Sequence, residues 1–168
     1  MVIRKAFAHE YETIKKQRLA SYEPFSKVIP AGHWEILKST LTSENAKNAG
    51  AEVFVSEING AIAGSVVLFP SQSKAYEWDT AALEYPEIRM LAVDANFRNN
   101  GIGQALVEHC VAVAKEHGYP FIGLHTAHFM ESAMRLYKQL GFSWVPSLDF
   151  EPLDDGIIVK AFRLHLMP

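Results

Sequence analysis

Residues 88–103 read Ile-Arg-Met-Leu-Ala-Val-Asp-Ala-Asn-Phe-Arg-Asn-Asn-Gly-Ile-Gly. An apolar run enters a polar loop, and the loop closes on two glycines where an amphipathic stretch begins. The pattern predicts a strand over 87–93 and a helix over 103–117. Gly101 and Gly103 lack a Cβ, so a ligand can come close to the backbone and positive φ is cheap. The first turn of a helix also carries unpaired N–H groups and a partial positive charge, which together suit a phosphate. A plain strand-to-helix turn would have the same glycines, because Gly-x-Gly is common. Two familiar phosphate loops do not fit. A Walker loop needs Lys-Ser or Lys-Thr after its second glycine, and Gln104-Ala105 stands there. A dinucleotide fingerprint needs a third small residue where Leu106 stands.

Outward from this loop the chain is a series of short periodic elements. Downstream, Leu106, Cys110 and Val113 form one helical stripe, and Val107, Val111 and Ala114 widen it. That double stripe suits a helix laid on a sheet and partly covered. Gly118 and Pro120 end it. Residues 121–126 read as a strand, 129–140 as a helix closed by Gly141, 142–145 as a strand, and 157–166 as a last strand after the turn Asp154-Asp155-Gly156. Upstream, 2–6 is a first strand, and 9–20 carries Tyr11, Ile14, Arg18 and Leu19 at helical spacing. Residues 21–32 hold Pro24, Pro30 and Gly32 and read as a loop. A second helix covers 33–41. Residues 52–58 and 61–69 flank Asn59-Gly60, a strong hairpin signal. The order β-α-α-β-β-β-α-β-α-β-β gives a mixed sheet with helices on its faces, an α/β class.

Composition bounds the rest. The 168 residues suit one domain, 1–168. Hydrophobic residues are 49%, too many for a disordered chain. A net charge of -3 argues against a nucleic-acid partner, which calls for a basic surface. No apolar run reaches the length of a membrane span, and the charged start Met-Val-Ile-Arg-Lys has no apolar core behind it. The expectation is a soluble, cytoplasmic protein. Cys110 is the lone cysteine. It excludes an internal disulfide and a cysteine-rich zinc site, and its place in an apolar stripe makes it core. His125-x-x-His128 lacks a third ligand at metal spacing, so no metal is expected.

Arg98-x-x-Gly101-x-Gly103 after the strand Leu91-Ala92-Val93-Asp94 resembles the acetyl-CoA loop of the GNAT superfamily of N-acetyltransferases. The run Ala133-x-x-Leu136-Tyr137-x-x-Leu140-Gly141-Phe142 resembles its second signature. One helix and one strand separate the two, as in that family, and the motifs cover 87–142. The resemblance implies a mixed, mostly antiparallel sheet splayed at the cofactor site, with helices on both faces. It implies acetyl transfer from acetyl-CoA, a co-substrate, directly to a primary amine of a small molecule or peptide. A CoA-binding module without catalysis, or a transferase of another acyl-CoA, stays open, as does a homodimer.

Carried over residue by residue, the resemblance places the pantetheine arm on the backbone of Met90, Leu91, Ala92 and Val93. It places the pyrophosphate on the N–H groups of Arg98, Asn99, Asn100, Gly101, Ile102, Gly103 and Gln104. Tyr137 matches the tyrosine near the departing sulfur, where a phenol can protonate a thiolate. Glu87 occupies the strand position of a catalytic glutamate and would accept the ammonium proton, with Glu84 as its rival. A backbone N–H near Leu91 would polarise the thioester carbonyl. One departure is clear. Where the family often has an asparagine seven residues before the tyrosine, this chain has Met130, and Ser132 is the nearby polar substitute.

The acceptor side maps to residues 21–34 and 71–87. They carry Tyr22, Phe25, Trp34, Tyr76, Trp78 and Tyr85. The second stretch holds Glu77, Asp79, Glu84 and Glu87 against Lys74 alone. Aromatics with acids suit a cationic amine, while a solvated loop anchored by its aromatics would look the same. His125, on a strand beside the expected thioester, could meet the substrate as a polar group.

Overall fold

The computed structural model describes residues 1–43, 50–72 and 83–166. Seven strands form one sheet in the order β1-β2-β3-β4-β5-β7-β6. They are β1 (Val2–Lys5), β2 (Glu52–Ile58), β3 (Ala61–Phe69), β4 (Glu87–Val93), β5 (Phe121–Ala127), β6 (Ser143–Trp144) and β7 (Val159–His165). Neighbours pair antiparallel except β4 and β5, which run parallel. The described α-helices are α1 (Tyr11–Tyr22), α2 (Ala31–Leu41), α3 (Ile102–Glu116) and α4 (Glu131–Gln139). Among the described residues no helix is long and apolar enough to cross a membrane.

Most elements fall within two residues of the expected bounds, and the differences have local causes. The loop over 21–32 contains a short 3-10 helix, Glu23–Lys27. Pro30 sits at the N-cap of α2, where its fixed φ suits the entry, so the helix starts at Ala31. The last strand starts at Val159 and not at 157. Before it, the Ile157 N–H donates to Asp155 Oδ1 and the Ile158 N–H to His128 Nδ1, which diverts both N–H groups from the ladder.

The larger core lies under α3 and α4. Leu106, Val107, Cys110 and Ala114 of α3 pack with Phe54, Val66, Leu68, Ile88, Ile122, Leu124 and Phe162 from the strands, and with Tyr137 from α4. Burial of Cys110 pushes its thiol up to about 12, as suits core and not nucleophile. On the opposite face α1 lies across β3 and β4. Its buried Arg18 donates from Nη1 to the Leu41 carbonyl at the C-terminus of α2 (3.0 Å). The negative end of that helix is a partial counter-charge for the guanidinium, and the contact ties α1 to α2. Ile29, Trp34 and Leu37 then pack on Ala127, Phe129 and Ile157, which brings the α1–α2 segment over the end of β5.

Candidate active site

The sheet opens where β4 meets β5. Their paired residues are Glu87 with Gly123 and Ile88 with Leu124, and past Ile88 the strands part. On its other edge β4 carries a bulge. Ser65 pairs with Ala92 and Val67 with Arg89, so Val66 faces both Met90 and Leu91. Met90 takes φ 56° to accommodate it. A bulge of this kind re-aims the backbone and frees ladder groups. The freed Leu91 carbonyl accepts a hydrogen bond from the Tyr22 hydroxyl (2.9 Å). Tyr22 therefore reaches the bulge itself, a more specific place than the acceptor border expected for it. Burial raises its phenol to about 12.

At the far end of β4 the chain makes the expected loop. Asp94 Oδ1 accepts the Asn96 N–H, Asn99 and Gly101 take positive φ, and α3 starts at Ile102. Gly101 is its N-cap and has no side chain to cap the helix, so the first-turn N–H groups face outward without a side-chain acceptor. Arg98, Asn99, Asn100 and Gly101 are exposed, while Ile102 is buried and anchors the turn. Asn100 is committed to the carbonyls of Phe97 and Arg98, and Gln104 to Glu108. The side chains of Asn100 and Gln104 thus brace the loop and leave its backbone to a ligand. An anionic diphosphate fits this arrangement: bare amides, a helix N-terminus and the exposed Arg98 converge on it. Gly103 lies 3.6–3.9 Å, measured from the place of an added Cβ, from side-chain atoms of Leu136, Val93 and Leu91. The helix start, the bulged strand and α4 meet there.

Tyr137 stands on α4 within this junction, 6% exposed. Its hydroxyl makes no hydrogen bond among the described residues. Burial, with smaller contributions from Tyr22 and Cys110, lifts its pKa well above the ordinary phenol value. The group keeps its proton at any working pH and is a weaker acid than a free phenol. Met130, in the place of the family asparagine, is turned inward: Thr126 Oγ1 donates to its sulfur (3.6 Å). Ser132 Oγ accepts from Arg135.

Glu87 is 2% exposed. Both of its oxygens are engaged. Arg89 Nε donates to Oε1 (3.0 Å), and His125 Nδ1 lies 3.1 Å from Oε2. Burial acts to raise its pKa, but the bonds and charges of His125 and Arg89 outweigh it and hold the carboxyl below its ordinary value. Glu87 is therefore an ionised, neutralised carboxylate and not an open negative charge for an amine. Beside it the Tyr85 ring covers Gly123, where an added Cβ would come within 2.5 Å of the ring. Burial raises the Tyr85 phenol, and the nearby positive charge of Arg163 opposes that in part. Glu84 is exposed. Lys74, Tyr76, Glu77, Trp78 and Asp79 lie outside the described residues. His128 Nδ1 accepts the Ile158 N–H and serves the backbone. Phe25 packs at a tilt against Phe129 (5.2 Å between ring centres) and holds the α1–α2 segment down.

The sequence reading missed Arg89 and the Glu87–His125 contact. Arg89 was legible only as the residue two places on from Glu87, on the same strand face. No local signal pairs Glu87 with His125, because the parallel register of β4 and β5 is needed to bring them together.

Comparison with known proteins agrees with this geometry. The model of the Acetyltransferase (GNAT) family matches residues 13–142. N-acetyltransferase 8B of Homo sapiens is 30% identical over 106 residues, which are 62% of this chain and 44% of that protein. N-acetylaspartate synthetase of Rattus norvegicus is 29% identical over 118 residues, 70% of this chain and 36% of that protein. The chain thus spans less than half the length of these relatives. A solved acetyltransferase structure from Salmonella typhimurium, with its cofactor acetyl-CoA, superposes with a TM-score of 0.69 at 17% identity and covers 99% of this chain and 94% of its own. At that identity the likeness is one of fold.

Proposed function

Since the chain belongs to the GNAT acetyltransferase family, matched over residues 13–142, we propose that it moves acetyl from acetyl-CoA directly to a primary amine of a small molecule or peptide. The reading takes residues 1–168 as one acetyltransferase domain. The observation that carries it is the fork: β4 leaves β5 after Ile88, bulges at Met90, and runs into an uncapped helix start. That combination supports an extended ligand with an anionic end. Its diphosphate would lie on the amides of residues 98–104, and its pantetheine arm along the backbone of Leu91, Ala92 and Val93. The thioester would then reach the open fork, where a backbone N–H near Leu91 polarises its carbonyl.

Transfer needs a free amine and a proton for the leaving sulfur. The amine nitrogen bonds to the carbonyl carbon, the C–S bond breaks, and the thiolate takes a proton from Tyr137, which recovers one from the amide nitrogen. A place on α4 beside the glycine loop and an unpartnered hydroxyl support Tyr137 in that role. Glu87 supplies the carboxylate of the proton-accepting group on the acceptor face. The acceptor is a property of the outer segments 21–34 and 71–87, of which 21–34, 71–72 and 83–87 are described. An N-acetylaspartate synthetase among the relatives puts amino acids on the panel beside polyamines and peptides.

The test is thiol release from acetyl-CoA against a panel of amines, amino acids and peptides. Turnover with at least one primary amine, and a product carrying an amide-linked acetyl group, is expected. Micromolar CoA binding with no thiol release from any acceptor would instead give a non-catalytic CoA module.

A further inference from the structure

Beyond its bulge, β4 keeps its ladder with β3 on one edge and turns the other edge to the gap. The Asp94 N–H donates to the Ala63 carbonyl (2.8 Å), and Ala92, two residues back, pairs with Ser65. Antiparallel pairing alternates, so Ala92 also turns its N–H and carbonyl toward β3. A trans peptide points its carbonyl away from its N–H. The Leu91 carbonyl, the Val93 N–H and the Val93 carbonyl therefore face the gap. These are the groups that an extended amide ligand would pair with, and the Tyr22 hydroxyl donates to the first of them (2.9 Å).

The tyrosine is held from both ends. It is the last residue of α1. Its ring meets Phe25 edge-on (6.2 Å between ring centres), and Phe25 packs on Phe129, just past the end of β5. The three side chains form a strut from the edge of β4 to the end of β5, across the place where the strands part. Burial raises the Tyr22 phenol to about 12, so the hydroxyl stays a donor at neutral pH. The strut meets β4 one residue after Met90, whose φ of 56° a residue with a Cβ keeps only where its surroundings impose it.

We infer that Tyr22 is a positioning residue for the cofactor: its hydroxyl pins the Leu91–Ala92 peptide and holds the edge 91–93 of β4 in the shape that a pantetheine arm needs. This rests on the acyl-transfer reading above. A carbonyl oxygen has two lone pairs, so Leu91 can keep Tyr22 and still accept an N–H of the bound arm. The glycine loop is braced separately, by Asp94, Asn100 and Gln104. Loss of the Tyr22 hydroxyl should leave that loop intact.

Tyr22→Phe removes the hydroxyl and keeps the ring on Phe25. Calorimetry on the full chain then compares two ligands: CoA, and 3′-phospho-ADP, which has the diphosphate and no pantetheine. Affinity for CoA should fall about 5- to 10-fold, the size of one lost hydrogen bond, and affinity for 3′-phospho-ADP should stay as it was. An equal fall for both ligands, or no fall for CoA, overturns the inference. Wild type gives a second readout that does not depend on how the variant folds. The Tyr22 hydroxyl proton, assigned by NMR through its contacts with Phe25 and Leu91, should exchange slowly with water both in the free protein and with CoA bound. A hydroxyl that exchanges freely once CoA binds has been displaced by the ligand, and that also overturns the inference. A wild type that binds no CoA sinks the acyl-transfer reading first and this inference with it, whereas CoA binding that is equal in wild type and Tyr22→Phe sinks this inference alone.

Discussion

The glycine loop and the β4–β5 fork sit at opposite ends of one strand and are built on opposite plans. The loop is exposed and presents backbone amides, and its side chains mostly brace it. The fork is buried and gathers side chains from separate elements: Glu87 and Arg89 of β4 and His125 of β5, with Tyr22 of α1 on the bulge. Binding machinery made of backbone is local in sequence and tolerant of side-chain change. Chemical machinery made of convergent side chains depends on register, and one substitution can undo it.

The largest effect should come from the loop. Gly103→Glu has room for its Cβ, since the nearest atoms are at ordinary contact distance. It still places a negative charge at the helix N-terminus, where a diphosphate would sit. Calorimetric acetyl-CoA affinity should fall by more than about 10²-fold, roughly 3 kcal/mol, with no change in melting temperature beyond a few degrees. Retained affinity would break the division of labour between loop and fork. Tyr137→Phe makes the complementary cut. It should lower kcat by about 10²-fold with acetyl-CoA affinity intact, read by initial rates and calorimetry side by side.

A third change sharpens the comparison through stability. Gly123→Ala pushes a methyl into the Tyr85 ring and should destabilise by about 1–3 kcal/mol, measured by urea unfolding. Cofactor affinity at the distant loop should hardly change. The smallest effect lies outside both regions. Glu10 is held at about 2 by its bonds to Arg4 against the cost of partial burial, helped by the Phe7 N–H. A lowered carboxyl stabilises the fold above its ordinary pKa, and that contribution is lost as pH falls from about 4.5 to about 2. Wild type should therefore lose more stability between pH 5 and pH 2.5 than Glu10→Gln does, while neither loop nor fork responds.

The same contrast explains what was readable in advance. The hairpin at Asn59-Gly60, both strands around it, and the strand–loop–helix of 87–116 carry their signals within a few residues, and the structure has them in place. The bulge at Met90 has no such signal. Methionine does not favour positive φ, and the conformation is imposed by pairing against Val66 across the ladder. Tyr22 read as one aromatic among several, because only the packing of α1 on β4 aims its hydroxyl at Leu91. Glu87 was legible as a strand-end carboxylate. Its two partners were not, so an acid that looked open to a cationic amine is one already satisfied. Much of the acidic loop expected to meet the acceptor lies outside the described residues.

The ring of Tyr85 resting on Gly123 has a consequence for how such chains can diverge. The space that a side chain at 123 would need is already filled from 85. The two positions therefore cannot drift independently. Among descendants of this sequence, a larger residue at 123 should appear only alongside a smaller one at 85, and an aligned set of relatives should show that pair changing together or not at all.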